Sequence, residues 1–158
     1  MGPFTGTISV GSTTLDAGPG ADTLVAQRSA AGQVRWATSV SASSDLDGAE
    51  VVGAADGGLL FGSGSVPGLS FGSASGGSIP LDASNGGTAW LAHYRPDGTP
   101  EFARTIAGTA FGRVGEIARV GARVYVDVTL RGPDNTINGR PIPVQGKDAS
   151  IWAIDLAD

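Results

Sequence analysis

Side chains with carboxylate or amide oxygens, in a spacing that resembles a calcium-binding loop, occur at two places in the sequence. Asp45, Asp47 and Glu50 lie at positions i, i+2 and i+5 around a glycine, and Asp134 and Asn138 lie four residues apart before another glycine. Hard cations such as Ca²⁺ take oxygen ligands from tight turns of this kind. Neither segment completes a twelve-residue loop, so a solvated turn is the alternative interpretation. Ca²⁺ is therefore the one cofactor for which the sequence offers candidates.

The side chains that enzymes use most often for acid–base and nucleophilic work are scarce. The chain has a single histidine, His93, and no cysteine. The repeat described below aligns His93 with residues that do not ionise, which favours a surface or interface position. Asp16 and Asp82 each follow a leucine at matching places, and capping of a turn explains both. We therefore predict that the protein is not an enzyme.

A third arrangement has the composition of a sugar-binding loop. Asn85 lies in a glycine-rich segment, and Trp90 and Tyr94 follow it. Ligand pockets combine aromatic side chains with a few polar groups in this way. These three residues are the candidates for a carbohydrate site.

The elements that would position these residues are short β-strands. Apolar residues alternate with small or polar ones, as over residues 4–10 and 123–130, and this period of two is typical of half-buried strands. No window carries the apolar stripe of a helix. Glycine accounts for 26 of the 158 residues, and turn signals separate the runs. This pattern predicts an all-β fold.

Charge and hydropathy exclude several partners. Fifteen acidic residues against ten basic ones give a formal net charge of −5, which argues against nucleic acid and anionic membranes. No apolar run approaches the length of a membrane span, and the first residues lack the pattern of a signal peptide. We expect no nucleic-acid binding and no membrane insertion.

An internal repeat narrows the all-β architecture. An apolar pair followed by alanine ends at Ala26, Ala92 and Ala153, 66 and 61 residues apart. A glycine turn and then an aromatic residue, Trp36 or Phe102, follow the first two copies at equal distances. Matching segments before and after define four strands, which we name a to d: a near Val51 and Ile117, b near Phe4, Leu59 and Val124, c at Leu24, Trp90 and Ile151, and d at Trp36 and Phe102.

The chain then reads b-c-d, a-b-c-d, a-b-c, which is about two and a half four-stranded units. Such units are typical of β-propeller blades, with a β-sandwich or a barrel as the alternative. The chain is predicted to be one domain, with a partial blade over residues 1–40, a blade over 48–106 and a partial blade over 114–158. Trp36, Phe102 and Trp152 are predicted to fill the core between stacked sheets.

These residues resemble the bacterial β-propeller repeat of the SBBP type. The matching pieces are residues 22–26, 36–37, 48–52 and 59–62 in the first copy, and 90–92, 97–98, 102–103 and 124–126 in the second. The resemblance implies repeated blades in an exported or surface-attached bacterial protein, and it implies no catalytic residues.

The expected function is a structural or interaction module that associates with copies of itself or with neighbouring blades of a larger surface protein. Such a role fits a repeat whose sheets need neighbours to cover their faces. A carbohydrate-binding, lectin-like propeller is the alternative function.

Overall fold

The fold consists of β-strands alone over the part of the chain that the computed structural model describes, which is residues 1–42, 49–64, 68–81, 89–107, 111–121, 123–131, 135–137, 140–142 and 147–155. These residues form no helix. Their strands are β1 (Gly2–Val10), β2 (Thr13–Arg28), β3 (Val34–Ser41), β4 (Glu50–Gly53), β5 (Leu59–Gly64), β6 (Ser70–Gly72), β7 (Ser78–Pro80), β8 (Ala89–Tyr94), β9 (Pro100–Ala107), β10 (Phe111–Val120), β11 (Arg123–Arg131), β12 (Asn135–Ile137), β13 (Arg140–Ile142) and β14 (Lys147–Asp155).

The strands pair antiparallel in three open sheets. The first sheet has the order β1-β2-β3-β6-β7, the second β13-β12-β9-β8-β5-β4, and the third β10-β11-β14. None of the three closes into a barrel. The predicted all-β, antiparallel class is confirmed. The described residues contain no helix that is long and apolar enough to cross a membrane.

Within each sheet, strands that follow one another in the a-to-d scheme lie side by side. Strands a, b, c and d of the middle copy are β4, β5, β8 and β9, and they pair in that order. The first sheet contains b, c and d as β1, β2 and β3, and the third contains a, b and c as β10, β11 and β14. Short turns join a to b and c to d, whereas the connection from b to c in the second and third sheets includes a small hairpin.

Two small hairpins leave their own unit and extend the preceding sheet. The β6–β7 hairpin lies between strands b and c of the middle copy, yet Phe71 and Ser70 pair with Val40 and Ser41 of β3. The β12–β13 hairpin likewise joins β9 through the pair Ile137 and Ala107. The a-to-d scheme assigns no strand to the first segment. Its pairing satisfies backbone groups that β3 would otherwise leave at a sheet edge.

The core consists of two apolar layers, one on each face of the second sheet. Side chains alternate between the faces of a strand, so the two sets along β8 enter different layers, and all six residues of β8 are buried. The layer toward the first sheet includes Val25, Trp36, Val40, Phe61, Phe71, Trp90, Ala92 and Tyr94. The layer toward the third sheet includes Leu60, Leu91, Ile106, Val114, Val124, Val126, Val128 and Leu130.

The three residues predicted to fill the core have different placements. Trp36 is only 6% exposed and lies in the first layer. Phe102 is partly buried and packs against the second layer. Trp152 pairs through its backbone with Val126, and its side chain lies outside the described part of the structure.

The third copy is offset by one residue from the sequence alignment. Phe61 pairs with Ala92 in the second sheet. The aligned residue Val126 pairs with Trp152, whereas the repeat alignment matches Ala92 to Ala153. A shift of one residue exchanges the two faces of a strand, and the shorter 61-residue spacing is the signal of this offset.

Candidate functional site

At the turn between β8 and β9, the first sheet contacts the second. The side chain of Trp36, which lies on β3, packs against the backbone of this turn. Its indole Nε1 donates a hydrogen bond of 2.9 Å to the carbonyl oxygen of Pro96. Its ring stacks on Tyr94, with centroids 5.6 Å apart and planes 13° apart. A Cβ at Gly98 would lie 2.7 Å from the indole. The absence of a side chain at Gly98 therefore allows the ring to lie on the turn.

Gly98 is also required by the turn itself. Its φ of 82° is in the left-handed region, which side-chain-bearing residues rarely adopt. Two backbone hydrogen bonds close the turn, from the amide of Arg95 to the carbonyl of Thr99 and from the amide of Gly98 to the carbonyl of Arg95, each 2.9 Å. The turn thus presents the Pro96 carbonyl and a flat glycine surface to a ring from the first sheet.

A second hydrogen bond links the two sheets at the same end. The side-chain amide of Gln27, in β2, donates to the carbonyl oxygen of Gly57 at 2.8 Å. Gly57 lies in the turn between β4 and β5, which is closed like the β8–β9 turn. The first sheet therefore donates one side-chain hydrogen bond to each of these two turns, from Gln27 to the β4–β5 turn and from Trp36 to the β8–β9 turn.

The aromatic residues considered for sugar binding lie inside this junction. Trp90 and Tyr94 are both fully buried. Trp90 Nε1 donates to the carbonyl of Gly64, and the Tyr94 hydroxyl donates to the carbonyl of Gly72, each at 2.8 Å. Burial raises the pKa of the Tyr94 hydroxyl far above its usual value, so the hydroxyl is a neutral donor. Asn85, the third candidate, lies outside the described residues.

His93 lies on the opposite face of β8 in a polar cluster. Its Nδ1 atom is 2.7 Å from Oε2 of Glu101, and its Nε2 atom is 3.4 Å from Oδ1 of Asp56. Since an ionised carboxylate can only accept, Nδ1 donates to Glu101. His93 is only 6% exposed, whereas sequence reasoning placed it at a surface or an interface.

Arg95 completes this cluster from the β8–β9 turn. Its Nη2 atom donates to Oε1 of Glu101 at 2.8 Å. That hydrogen bond, and then the one from His93, holds the pKa of Glu101 below its usual value. The hydrogen bond with Glu101 in turn raises the pKa of Arg95. The cluster ties the β4–β5 turn to the start of β9. Of the described residues, no three His, Cys, Asp or Glu side chains form a group that could hold a metal ion.

The calcium candidates are mostly beyond what the structure describes. Asp45, Asp47, Asp134 and Asn138 all lie outside the described residues. Glu50 is exposed and lies on β4, where it pairs with Gly62. The prediction of a calcium site therefore stays a prediction.

A pocket that sequence reasoning missed lies in the first sheet. Its volume is about 530 Å³, and its walls are Asp16, Ala17, Gly18, Pro19, Gly20, Asp22, Ser41 and Ala42. Asp22 is 6% exposed and accepts a 3.0 Å hydrogen bond from the Ser41 hydroxyl. Asp16 accepts from the amide of Gly18 at 2.8 Å, which is the turn-capping role predicted for it. Asp82, which occupies the matching place in the repeat and was assigned the same role, lies outside the described residues.

The signal for this pocket was present in the sequence as a glycine- and proline-rich interruption of a strand. The pairing of β1 with β2 passes from Thr5 opposite Ala21 to Thr7 opposite Asp16. Residues 17–20 of β2 thus lie opposite the single residue Gly6 of β1, and they bulge out of the ladder to form the pocket wall.

Comparison with known proteins adds no relative. No family model matches the chain, and neither does any curated protein.

Proposed function

We propose that the chain is a non-enzymatic structural and interaction module made of four-stranded units of the β-propeller type. It acts by stacking sheets on one another, either in self-association or as part of a larger bacterial protein exposed at the cell surface. The extracellular, bacterial setting rests on the sequence resemblance alone.

The observation that carries this proposal is the way the first sheet joins the second. The junction combines an apolar layer, two side-chain hydrogen bonds to turns and a hairpin that crosses from one unit to the sheet of another. Packed layers and shared strands of this kind are how blade-like sheets are held together. The polar and aromatic side chains of the junction that donate hydrogen bonds there are Gln27, Trp36, Trp90 and Tyr94.

The two outer sheets support the same proposal. The first sheet has no strand a and the third no strand d among the described residues, so β1 and β14 each have one edge without a paired strand there. Sheet edges without partners readily accept strands from other chains. The chain therefore presents surfaces that suit association with further sheets.

Sedimentation equilibrium over a wide concentration range tests the self-association part. We expect the average mass to rise with concentration, with and without added Ca²⁺. A mass of one chain at every concentration would contradict self-association.

A carbohydrate-binding function is the second candidate, and the pocket of the first sheet, with Asp16, Asp22 and Ser41 in its walls, supports it. Sugar hydroxyls can donate to Asp16 and Asp22 and can both donate to and accept from Ser41. A glycan array would test it, with Asp22→Asn as the variant and Asp97→Asn, an exposed turn residue, as the control. Binding that is lost in Asp22→Asn alone supports the pocket, and an array without binding contradicts it.

A further inference from the structure

Next to their turns, the hairpin formed by β2 and β3 and the hairpin formed by β8 and β9 have the same backbone arrangement. Ala26 pairs with Ala37 as Ala92 pairs with Ala103. Both hairpins also shift register at the end of their first strand, before Arg28 in one and before Tyr94 in the other. The equivalence therefore follows from strand pairing as well as from the repeat in sequence.

The turns of the two hairpins are equivalent too. The turn of the first hairpin is closed by hydrogen bonds from the amide of Ser29 to the carbonyl of Gln33 and from the amide of Gly32 to the carbonyl of Ser29, at 2.8 and 2.9 Å. Gly32 has a φ of 77°, close to the 82° of Gly98. Ala30 occupies the place of Pro96, so its carbonyl is the equivalent acceptor for an indole N–H.

The surroundings of the two turns differ. Gly98 is buried and lies against the ring of Trp36, whereas Gly32 is exposed and no described atom lies within 4 Å of where its Cβ would be. Arg28 is exposed at the position equivalent to Tyr94. A guanidinium group stacks on an indole face as a phenol ring does. The first hairpin thus has each group that holds Trp36 on the second: a carbonyl, a flat glycine and a stacking side chain.

Two apolar residues next to this turn lie on the side of β2 away from the second sheet. Val25 packs into the layer between the sheets and Gln27 reaches Gly57, so Leu24 and Ala26 lie on the other face. Both are only partly buried. Their equivalents Trp90 and Ala92 are fully buried beneath the first sheet. Leu24 and Ala26 therefore form an apolar pair on the outer face of β2, between Asp22 and Arg28.

A third correspondence extends to the edge of β1. Ser9 and Val10 match Ser70 and Phe71, which pair with the end of β3. Val10 and Ser9 pair with Thr13 and Thr14 on one side, and β1 is the outermost strand of the sheet among the described residues. A strand equivalent to β3 would find the same two backbone positions here.

We propose that the outer face of β2, the turn over residues 28–33 and the edge at Ser9 and Val10 form a docking surface for a β-hairpin of another polypeptide that carries a tryptophan on its second strand. The incoming indole donates to the carbonyl of Ala30, lies on Gly32 and stacks on Arg28. Among the described side chains, Trp36 and Trp90 are buried in the chain's own core, so the partner is a homologous unit and not a second copy. The inference rests on the proposed interaction function and specifies its partner.

The test uses the full chain labelled with ¹⁵N and a synthetic hairpin as the probe. The hairpin has the sequence of residues 22–42 of this chain, which includes Trp36, and is closed by a terminal disulfide because an isolated hairpin is only marginally stable. We expect amide shifts at Ser29 to Gln33 and at Ser9 and Val10. Replacement of the tryptophan in the hairpin by alanine is expected to weaken binding at least about tenfold.

Two chain variants locate the site. Ala26→Arg is expected to weaken binding by about tenfold or more, and the amide spectrum shows whether it folds. Val51→Arg is the control, because Val51 is also apolar and is 46% exposed on another strand, and it is expected to bind like the parent chain. Binding that ignores the tryptophan, shifts confined to other strands, or no shifts up to about 1 mM hairpin would each overturn the proposal.

Failure of this inference is distinguishable from failure of the proposed function. A chain that gains mass with concentration but ignores the hairpin retains the interaction function and loses the indole site. A chain that stays a single chain in sedimentation but binds the hairpin through Ala30 and Gly32 supports the docking surface and removes self-association.

Discussion

The β2–β3 and β8–β9 hairpins have matching registers and matching turns, but only the second is covered. The cover buries Gly98 and Tyr94 and engages the carbonyl of Pro96, whereas Gly32, Arg28 and Ala30 remain at the surface. The two hairpins therefore differ in environment more than in backbone. Burial by a neighbouring sheet, and not the local sequence pattern, decides whether a turn of this repeat is structural or available for binding.

The largest effect on this comparison is expected from Trp36→Ala, which uncovers the second hairpin. The substitution removes a buried indole, its stacking on Tyr94 and its hydrogen bond to Pro96. We expect a loss of about 3–5 kcal/mol in the free energy of unfolding, measured by urea denaturation. Arg35→Ala, at the exposed neighbouring position, is the control and is expected to change stability by less than about 0.5 kcal/mol. Similar losses for both variants would contradict the junction as described.

The two turn glycines give the most direct contrast. Gly32→Ala introduces a side chain at a positive φ and is expected to cost about 1–2 kcal/mol. Gly98→Ala has the same backbone cost and also places a Cβ 2.7 Å from both Trp36 and Ala74, which adds about 1–3 kcal/mol of overpacking. Equal unfolding free energies for the two variants would show that Trp36 does not lie on Gly98 in solution.

Tyr94→Phe tests one polar contact within the covered hairpin. The substitution keeps the ring and its stacking but leaves the carbonyl of Gly72 without its 2.8 Å donor. We expect a loss of about 1–2 kcal/mol, measured by the same denaturation. Tyr125→Phe is the control, since Tyr125 lies on the third sheet and is only partly buried. A Tyr94→Phe variant as stable as the parent would show that the hydroxyl is solvated.

The smallest effect is expected from acidification. The pKa of Glu101 is lowered in the folded state, chiefly by its hydrogen bond from Arg95 and then by that from His93. A carboxyl with a depressed folded pKa contributes stability above its unfolded pKa and loses it as the pH falls through the folded value. Because the Glu101 side chain is 41% exposed, solvent screening keeps this contribution small.

Unfolding midpoints measured between neutral and acidic pH check this sign. We expect the parent chain to lose more stability on acidification than a Glu101→Gln variant. Glu116→Gln, at an exposed position of β10, is the control and is expected to follow the parent. A parent and a Glu101→Gln variant with the same pH dependence would contradict the linkage.

The sequence predicted those parts of the fold that are encoded locally. The period-two alternation located the principal strands, and the repeat placed Trp36 at a core position because its surroundings recur at Phe102. The propeller arrangement of the sheets stays a proposal. Trp90 and Tyr94 resembled ligand-binding residues because a glycine-rich segment precedes them. Their strand is buried on both faces by sheets that are distant in sequence, which no local pattern reveals.

The candidate site was less predictable for the same reason. The contact of His93 with Asp56 joins residues 37 positions apart, and the hydrogen bond from Trp36 to Pro96 spans 60. The hairpin of β6 and β7 has only three residues in each strand, so its cross-unit pairing carries almost no local signal. Such contacts depend on how the units stack, and stacking is not encoded in the spacing of residue types.

The β6–β7 hairpin has a consequence for how the molecule comes apart. It belongs by sequence to the middle unit but is bonded to the last strand of the first, so the first sheet holds a piece of the middle unit in place. Repeat proteins with contacts only between adjoining faces can lose their end units one at a time. Here the terminal unit cannot peel away without also breaking backbone hydrogen bonds of its neighbour, and the two should melt in a single cooperative step.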